Sequence, residues 1–229
     1  MDKDAVYALL EQKFMTWVEL SSVPVADNGE AMVSLRDRGL VVNAGIGAIP
    51  PSTGDDIFAR ASVALRLAEA AGHVAEVSRG TCRLEIVYGY RHPAIQNAAY
   101  LERKAALGYG GAFETDAVRE AIHRSVAVPG VAGHPTGGAV DVRLADGSGI
   151  PVDMGTGVHD FSRDSYVFSP FIGRESWQNR QLLRHSMMKA GFAPFDGEWW
   201  HFSYGDREWA RFHGAAAAFY AAIDFSRRP

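Results

Sequence analysis

Gly133-His134-Pro135-Thr136-Gly137-Gly138-Ala139-Val140-Asp141-Val142-Arg143-Leu144 is the stretch on which the fold turns. From Ala139 onward it alternates. Val140, Val142 and Leu144 fall on one side of an extended chain, and Ala139, Asp141 and Arg143 fall on the other, which is the period-two pattern of a strand. Asp146-Gly147 is a turn signal, and Ile150 to Met154 is expected to fold back as the second arm of a hairpin. Upstream, Thr81 to Tyr90 alternates too, with Leu84, Ile86, Tyr88 and Tyr90 expected on one side. Downstream, Phe192 to Tyr204 is aromatic and β-like, interrupted by Asp196-Gly197.

Between and around these strands the period changes to that of helices. Val6, Leu9, Leu10, Phe14 and Val18 predict a helix over about 4–20. Residues Ser21 to Pro51 mix Gly and Pro with one Val41-Val42 pair, so loop and a short strand are expected. Ile57, Ala61, Ala64, Leu65, Ala68 and Ala71 predict a helix from Asp55 to about Ser78, capped by Thr53 to Asp56 and broken or ended near Gly72. Further helices are expected over Pro93–Leu107, Glu114–Val126, Glu175–Ala190 with Gly191 as its stop, and the Ala-rich stretch from Asp206 to Ile223. The fold class that results is α+β. The expectation is one domain over 1–229, with a small antiparallel sheet flanked by helices, a helical part over about 1–80 and a site-bearing core over about 81–205.

Composition sets limits on what the chain can do. Its 229 residues carry 23 Lys+Arg against 27 Asp+Glu, a formal charge of −4, and no Lys/Arg run is longer than two. Phosphate binding needs a concentrated basic surface, so a nucleic-acid partner is not expected. Cys82 is the single cysteine, which excludes an intrachain disulfide and a Cys-rich zinc knuckle. No stretch approaches the ~18 apolar residues of a membrane span, and Met1 to Phe14 lacks a signal-peptide core. A cytoplasmic protein with no membrane partner is the expectation.

Two short stretches carry reactive groups: His134 and Asp141 in the first, and Glu198-Trp199-Trp200-His201 in the second. Two histidines, an aspartate and a spare glutamate are the inventory of a catalytic zinc site. Such a site has three protein ligands, an open position for water, and a carboxylate to take its proton. Gly137, Gly138 and Ala139 leave little bulk beside such a metal. Glu198 and His201 stand three apart, which on a regular strand points them to opposite faces. They converge only if Glu198 precedes the strand, in the bend of Asp196-Gly197. Taken singly, each residue has a plainer reading: a half-buried histidine, a turn aspartate, an aromatic strand edge. Arg91 alone fits a structural ion pair at a strand end better than a catalytic role.

Together, however, His134-x-x-Gly137-x-Ala139-x-Asp141 and Glu198-Trp199-Trp200-His201 resemble the paired signatures of the zinc D-alanyl-D-alanine dipeptidases of the vancomycin-resistance type. These share a superfamily with lysostaphin-like peptidases and the hedgehog signalling domain. Tyr88-Gly89-Tyr90-Arg91-His92-Pro93 is similar to the family's Tyr-Arg-Pro segment with one residue inserted, and Asp153-Met154-Gly155-Thr156 to its Met-Gly segment. The resemblance implies one zinc on His134, Asp141 and His201, Glu198 as general base and acid, and Arg91 as oxyanion stabiliser. It places Tyr90, Ala132, His159, Asp160, Trp199 and Trp200 around a small peptide substrate, with one tryptophan walling the site and the other packed inward.

Two departures bear on the substrate. Ala132 stands where the family has serine. His159, or Asp160 after a one-residue insertion, stands where the family has the aspartate associated with the substrate's amino group. The implied activity is therefore hydrolysis of a small dipeptide, D-alanyl-D-alanine foremost, in cell-wall metabolism. The alternatives are a peptidase of the same mechanism on another substrate (a peptidoglycan-stem carboxypeptidase or a biosynthetic hydrolase) and a zinc-binding protein without catalysis. The oligomeric state is not legible.

Overall fold

The computed structural model describes residues 2–46, 53–111 and 113–226. In chain order the elements are α1 (Lys3–Glu11), α2 (Trp17–Ser21), β1 (Met32–Ser34), β2 (Phe58–Arg60), α3 (Ala61–Val77), β3 (Cys82–Tyr88) and α4 (Pro93–Ala106). There follow α5 (Asp116–His123), β4 (Ala139–Asp146), α6 (Arg174–Lys189), β5 (Ala193–Pro194), β6 (His201–Ser203) and α7 (Arg207–His213). The main sheet has the order β3-β4-β6-β5, antiparallel throughout, and β1 and β2 form a separate antiparallel pair. This is the α+β class expected. No helix of the described residues is long and apolar enough to cross a membrane.

Burial follows from the alternation of the strands. Val140, Val142 and Leu144 of β4 and Leu84 and Ile86 of β3 pack with Val63 and Leu67 of α3 and Leu183 and Met187 of α6. Removing such side chains from water is the main stabilising term, about 25 cal/mol per Å² of apolar surface. Asp141 and Arg143 face the other way, as does Glu85 opposite Arg143. Arg143 closes on Glu85 through Nε at 2.9 Å and Nη2 at 2.8 Å. A smaller cluster from α2, α4 and α5, centred on Leu20, Tyr100 and Ile122, stands across a cleft from Asp141 on that second face. The candidate site residues His134, Asp141, Glu198 and His201 line that cleft.

The structure departs from the expectations at several points. Tyr88 does not continue the Leu84–Ile86 face. The register shifts between Ile86 and Tyr88, so Tyr88 pairs with Asp141, and one extra residue flips everything beyond it to the opposite face. The N-terminal helix is two helices, because Thr16 and Glu19 form a capping box that starts α2 afresh. The expected helix from Asp55 begins only at Ala61, since Phe58–Arg60 pairs with β1. Thr53 and Asp56 bond within their own loop, and Arg60 is the N-cap. That helix runs on through Gly72 to Val77.

The C-terminal helix is short. Gly214, at φ +65°, ends α7, and the Ala-rich tail runs irregularly onward to bury Ala218 and Tyr220. Ala218 donates to the Pro24 carbonyl and accepts from Ala26, so tertiary burial overrides alanine's helical preference. The expected hairpin arm after Asp146-Gly147 amounts to one bridge, Ala145 to Pro151. In the Ser21–Pro51 stretch the short strand is β1, while Val42 makes only a bridge to Ile86; residues 47–51 lie outside the described residues.

Candidate active site

His134 is delivered by a single 3₁₀ turn, His134–Thr136, that closes at Gly137 with φ +74°. A side chain at Gly138 would put its Cβ 2.5 Å from the Tyr204 carbonyl oxygen and 2.9 Å from Thr136 Oγ1. Only glycine lets the chain pass there and enter β4 at Ala139, which sets Asp141 seven residues after His134. Asp141 then projects from β4's polar face, directly opposite His201 at the start of β6. Glu198 lies outside that strand. Its amide donates to the Phe195 carbonyl, and the His201 amide donates to the Glu198 carbonyl, so the chain bends there instead of extending. The condition for Glu198 and His201 to line one cleft is met.

The donor atoms of His134, Asp141 and His201 lie within 4.8 Å of one another, and all three residues are buried. Asp141 Oδ1 is 3.5 Å from His134 Nε2 and 3.1 Å from His201 Nδ1. Outer partners set the tautomers. His134 Nδ1 donates to the Gly89 carbonyl at 2.8 Å, which turns the Nε2 lone pair inward. His201 Nε2 lies 3.3 Å from Glu208 Oε2, so its proton points outward and its Nδ1 inward. His159 Nε2 reaches the far oxygen of Asp141, Oδ2, at 3.0 Å, leaving Oδ1 to the centre. A carboxylate oxygen and two imidazole lone pairs converging on one point suit a divalent cation with N/O preference, and outer-sphere carboxylate or carbonyl partners are what such ligands ordinarily have.

The electrostatics agree. Burial pushes the His134 imidazole down to about 4, favouring the neutral ligand form. Burial opposes charge on Asp141, yet the surrounding imidazoles hold its carboxyl well below the usual range. His201, between Asp141 and Glu208, is held well above its ordinary value despite burial; surroundings that attract a proton attract a metal cation too. Glu198 is pushed up to about 7, chiefly by burial, with Asp141 and Glu208 adding to the effect. A carboxylate with that proton affinity can take and return a proton near neutral pH.

The other expected residues divide. Arg91 lies on the cleft wall, its Nε donating to Tyr88 Oη at 3.1 Å and its Nη1 to Gln96 Oε1 at 2.7 Å, with its guanidinium over the Tyr88 ring. It makes no ion pair among the described residues, so the strand-end ion pair is not what holds it. Ala132, His159 and Trp200 line the same cleft, whereas Trp199 packs inward with its Nε1 on Thr156 Oγ1. Tyr90 and Asp160 are not brought there. Tyr90 Oη donates to the Ile223 carbonyl and accepts from the Phe225 amide, tying down the tail. Asp160 is exposed and accepts from the Ser162 amide.

Glu208 is the site residue that sequence reasoning missed. It stands in the first turn of α7 behind the Asp206 cap, a helix start that is legible, but nothing in the linear pattern shows that this turn folds back on His201. The cleft measures about 600 Å³ and opens between α4, the segment after α5, and the metal-ligand cluster.

A family profile described as D-ala-D-ala dipeptidase matches residues 55–218. A D-alanyl-D-alanine dipeptidase from Synechocystis sp. is 41% identical over 88 residues, which cover 34% of this chain and 36% of that protein. One from Escherichia coli K12 is 36% identical over 69 residues, covering 30% of this chain and again 36% of the relative. The matched region thus spans about a third of each curated relative. Among solved structures, the LdcB LD-carboxypeptidase aligns with a TM-score of 0.45 at 16% identity, covering 82% of this chain and 76% of that one. A vancomycin-resistance D,D-pentapeptidase VanY in complex with Zn(II) aligns with a TM-score of 0.40 at 21% identity, covering 77% and 86%. The profile takes in well over half of the sequence, both signature stretches included, and the chain belongs to the D-Ala-D-Ala dipeptidase family.

Proposed function

We propose that the protein is a zinc-dependent peptidase that cleaves a small peptide bond of the D-alanyl-D-alanine type. The observation that supports this most is the placing of Glu198, with its raised proton affinity, in the cleft formed by His134, Asp141 and His201. Zinc held by those three residues would supply Lewis acidity, making water acidic near neutral pH and polarising a carbonyl.

The chain's own residues perform the rest. Glu198 accepts the proton of the attacking water and returns it to the departing amine; an acid–base group so placed contributes typically 10²–10⁴-fold. Arg91, fixed by Tyr88 and Gln96, keeps a permanently charged donor toward the developing oxyanion. His159 holds Asp141, and Glu208 orients His201. Trp200 and Phe161 wall the cleft with apolar surface that limits access of water.

Glu198→Gln should retain zinc at near wild-type stoichiometry while hydrolysis falls at least a hundredfold. If the zinc-loaded wild type cleaves nothing across D,D-, L,D- and L,L-dipeptides and their N-acylated forms, the protein is a zinc-binding module and the proposal fails.

A further inference from the structure

The chain is acidic overall, but its cleft is not. Among the described residues that line it, the carboxylates are Asp141, Glu198 and Glu208. Asp141 is surrounded by imidazoles, and Glu208 accepts from His201 and Ser203. Glu198 faces the reacting groups. Against these stand three guanidiniums, Arg91, Arg103 and Arg124. With a divalent cation at the ligand cluster, the cleft is net positive.

Arg103 stands on α4 and Arg124 just past the end of α5, on elements other than those that carry His134, Asp141 and His201. Arg103 is half-buried and oriented. Its Nε donates to Ser125 Oγ at 2.7 Å, and that hydroxyl is itself anchored on the Ile122 carbonyl at 3.2 Å. This leaves the terminal nitrogens of the fork with no protein partner among the described residues. Arg124, the neighbour of Ser125, is exposed and has no side-chain partner among the described residues. The wall beside them is apolar, formed by Ile95, Ala99, Val126 and Ala127. A guanidinium fork on a partly desolvated wall suits a carboxylate, bidentate and charge-assisted. The lowered dielectric there makes such a pair stronger than it would be in bulk water.

We propose that Arg103 and Arg124 form a subsite for a carboxylate of the substrate, so that the preferred peptide carries an anion reaching beyond the scissile bond. This rests on the peptidase reading of the same cleft. The carboxylate can come from either end of the substrate, from the peptide's free C-terminus or from an acidic group on its acyl side. No carboxylate in the cleft is left over to receive a substrate ammonium, which also favours a blocked or acidic amino end over a free one.

The test uses the zinc-loaded full chain and kcat/KM ratios within matched pairs. N-succinyl- against N-acetyl-D-Ala-D-Ala reports an acyl-side anion, and each free acid against its C-terminal amide reports the C-terminal one. One pair should show a preference of about five- to tenfold for the anionic member, the scale of a partly exposed ion pair. Arg124→Gln and Arg103→Gln should collapse that ratio toward one; Arg124 is exposed and unpartnered, so its variant does not threaten folding. Ratios near one in the wild type, or unchanged ratios in both variants, overturn the subsite. If no peptide in the set is cleaved, the peptidase reading fails. Calorimetric binding of the same pairs to zinc-loaded Glu198→Gln then judges the subsite separately, and equal affinities for charged and neutral members overturn it.

Discussion

Replacing His159 by asparagine should weaken zinc binding without unfolding the protein, and the size of the effect follows from the geometry. The Asp141 carboxylate is buried at 1% exposure, and among the described residues its Oδ2 has one side-chain donor, His159 Nε2 at 3.0 Å. A hydrogen bond to a charged group is worth about 1.5–3 kcal/mol, and each 1.4 kcal/mol is tenfold in affinity. Zinc affinity should therefore fall roughly 10–100-fold, as losses of outer-sphere partners usually do. Asparagine is the replacement of choice because His159 sits at φ +60°, a left-handed conformation that asparagine tolerates and that branched residues do not. Its amide is too short to restore the bond. The assay is competition with a chelator of known affinity, with thermal melting of the metal-free protein as a control. An affinity within threefold of wild type would refute the positioning role. Unchanged zinc affinity with a raised KM would instead return His159 to the substrate contact expected from the sequence.

Three further outcomes follow. Arg143→Met leaves the Glu85 carboxylate, 1% exposed, with its buried counter-ion removed; a loss of about 3 kcal/mol is expected, lowering Tm by roughly 6–12 °C in a calorimetric melt. Burial opposes charge on Glu85, but Arg143 and Arg83 hold its carboxyl below the ordinary value. A depressed carboxylate stabilises above its unfolded pKa of about 4.3 and loses that contribution as pH falls through the folded value, so the Tm gap between wild type and variant should narrow below about pH 4. Gly138→Ala forces the Tyr204 carbonyl away and should cost about 1–3 kcal/mol by denaturant titration, together with weaker zinc binding because β6 carries His201. Tyr90→Phe removes the hydroxyl that bonds Ile223 and Phe225; proteolytic release of the last residues should speed up several-fold, while zinc affinity stays unchanged.

The sequence displayed those parts of the fold whose pattern burial dictates directly. β4 was readable because its alternate residues must face a core on one side and a polar layer on the other, and α6 because Gly191, at φ +90°, ends it where the spacing said it should. What stayed illegible came from partners distant in the chain. Nothing local announces the shift beside Tyr88 that turns its ring toward Asp141. Nothing in Phe58-Ala59-Arg60 announces that β1 captures it before the helix can start. The Ala-rich tail favours helix locally and is drawn out of it by contacts with Pro24, Ala26 and Pro135. Propensity lost wherever a long-range contact offered more burial.

The site shows the same division, and for a chemical reason. Residues that would meet a metal must present particular atoms at particular spacings, so His134, Asp141 and His201 leave a mark on the sequence. Partners that act through them leave none. Glu208 needs only to arrive within reach of His201 Nε2, and any helix start at that place would serve. His159 shows how far such a role hides: its position in the chain pointed to the substrate, whereas its ring closes on a buried carboxylate and packs edge-on against Tyr88 and Trp200. Its backbone lies in the left-handed region, which is costly for a histidine and persists only where packing overdetermines it. A residue expected to recognise substrate thus hydrogen-bonds a buried carboxylate of the proposed ligand cluster while its ring still lines the cleft. On the reading proposed above, recognition falls to the arginine-lined outer wall of the cleft, and the matched peptide pairs read the substrate preference from that wall.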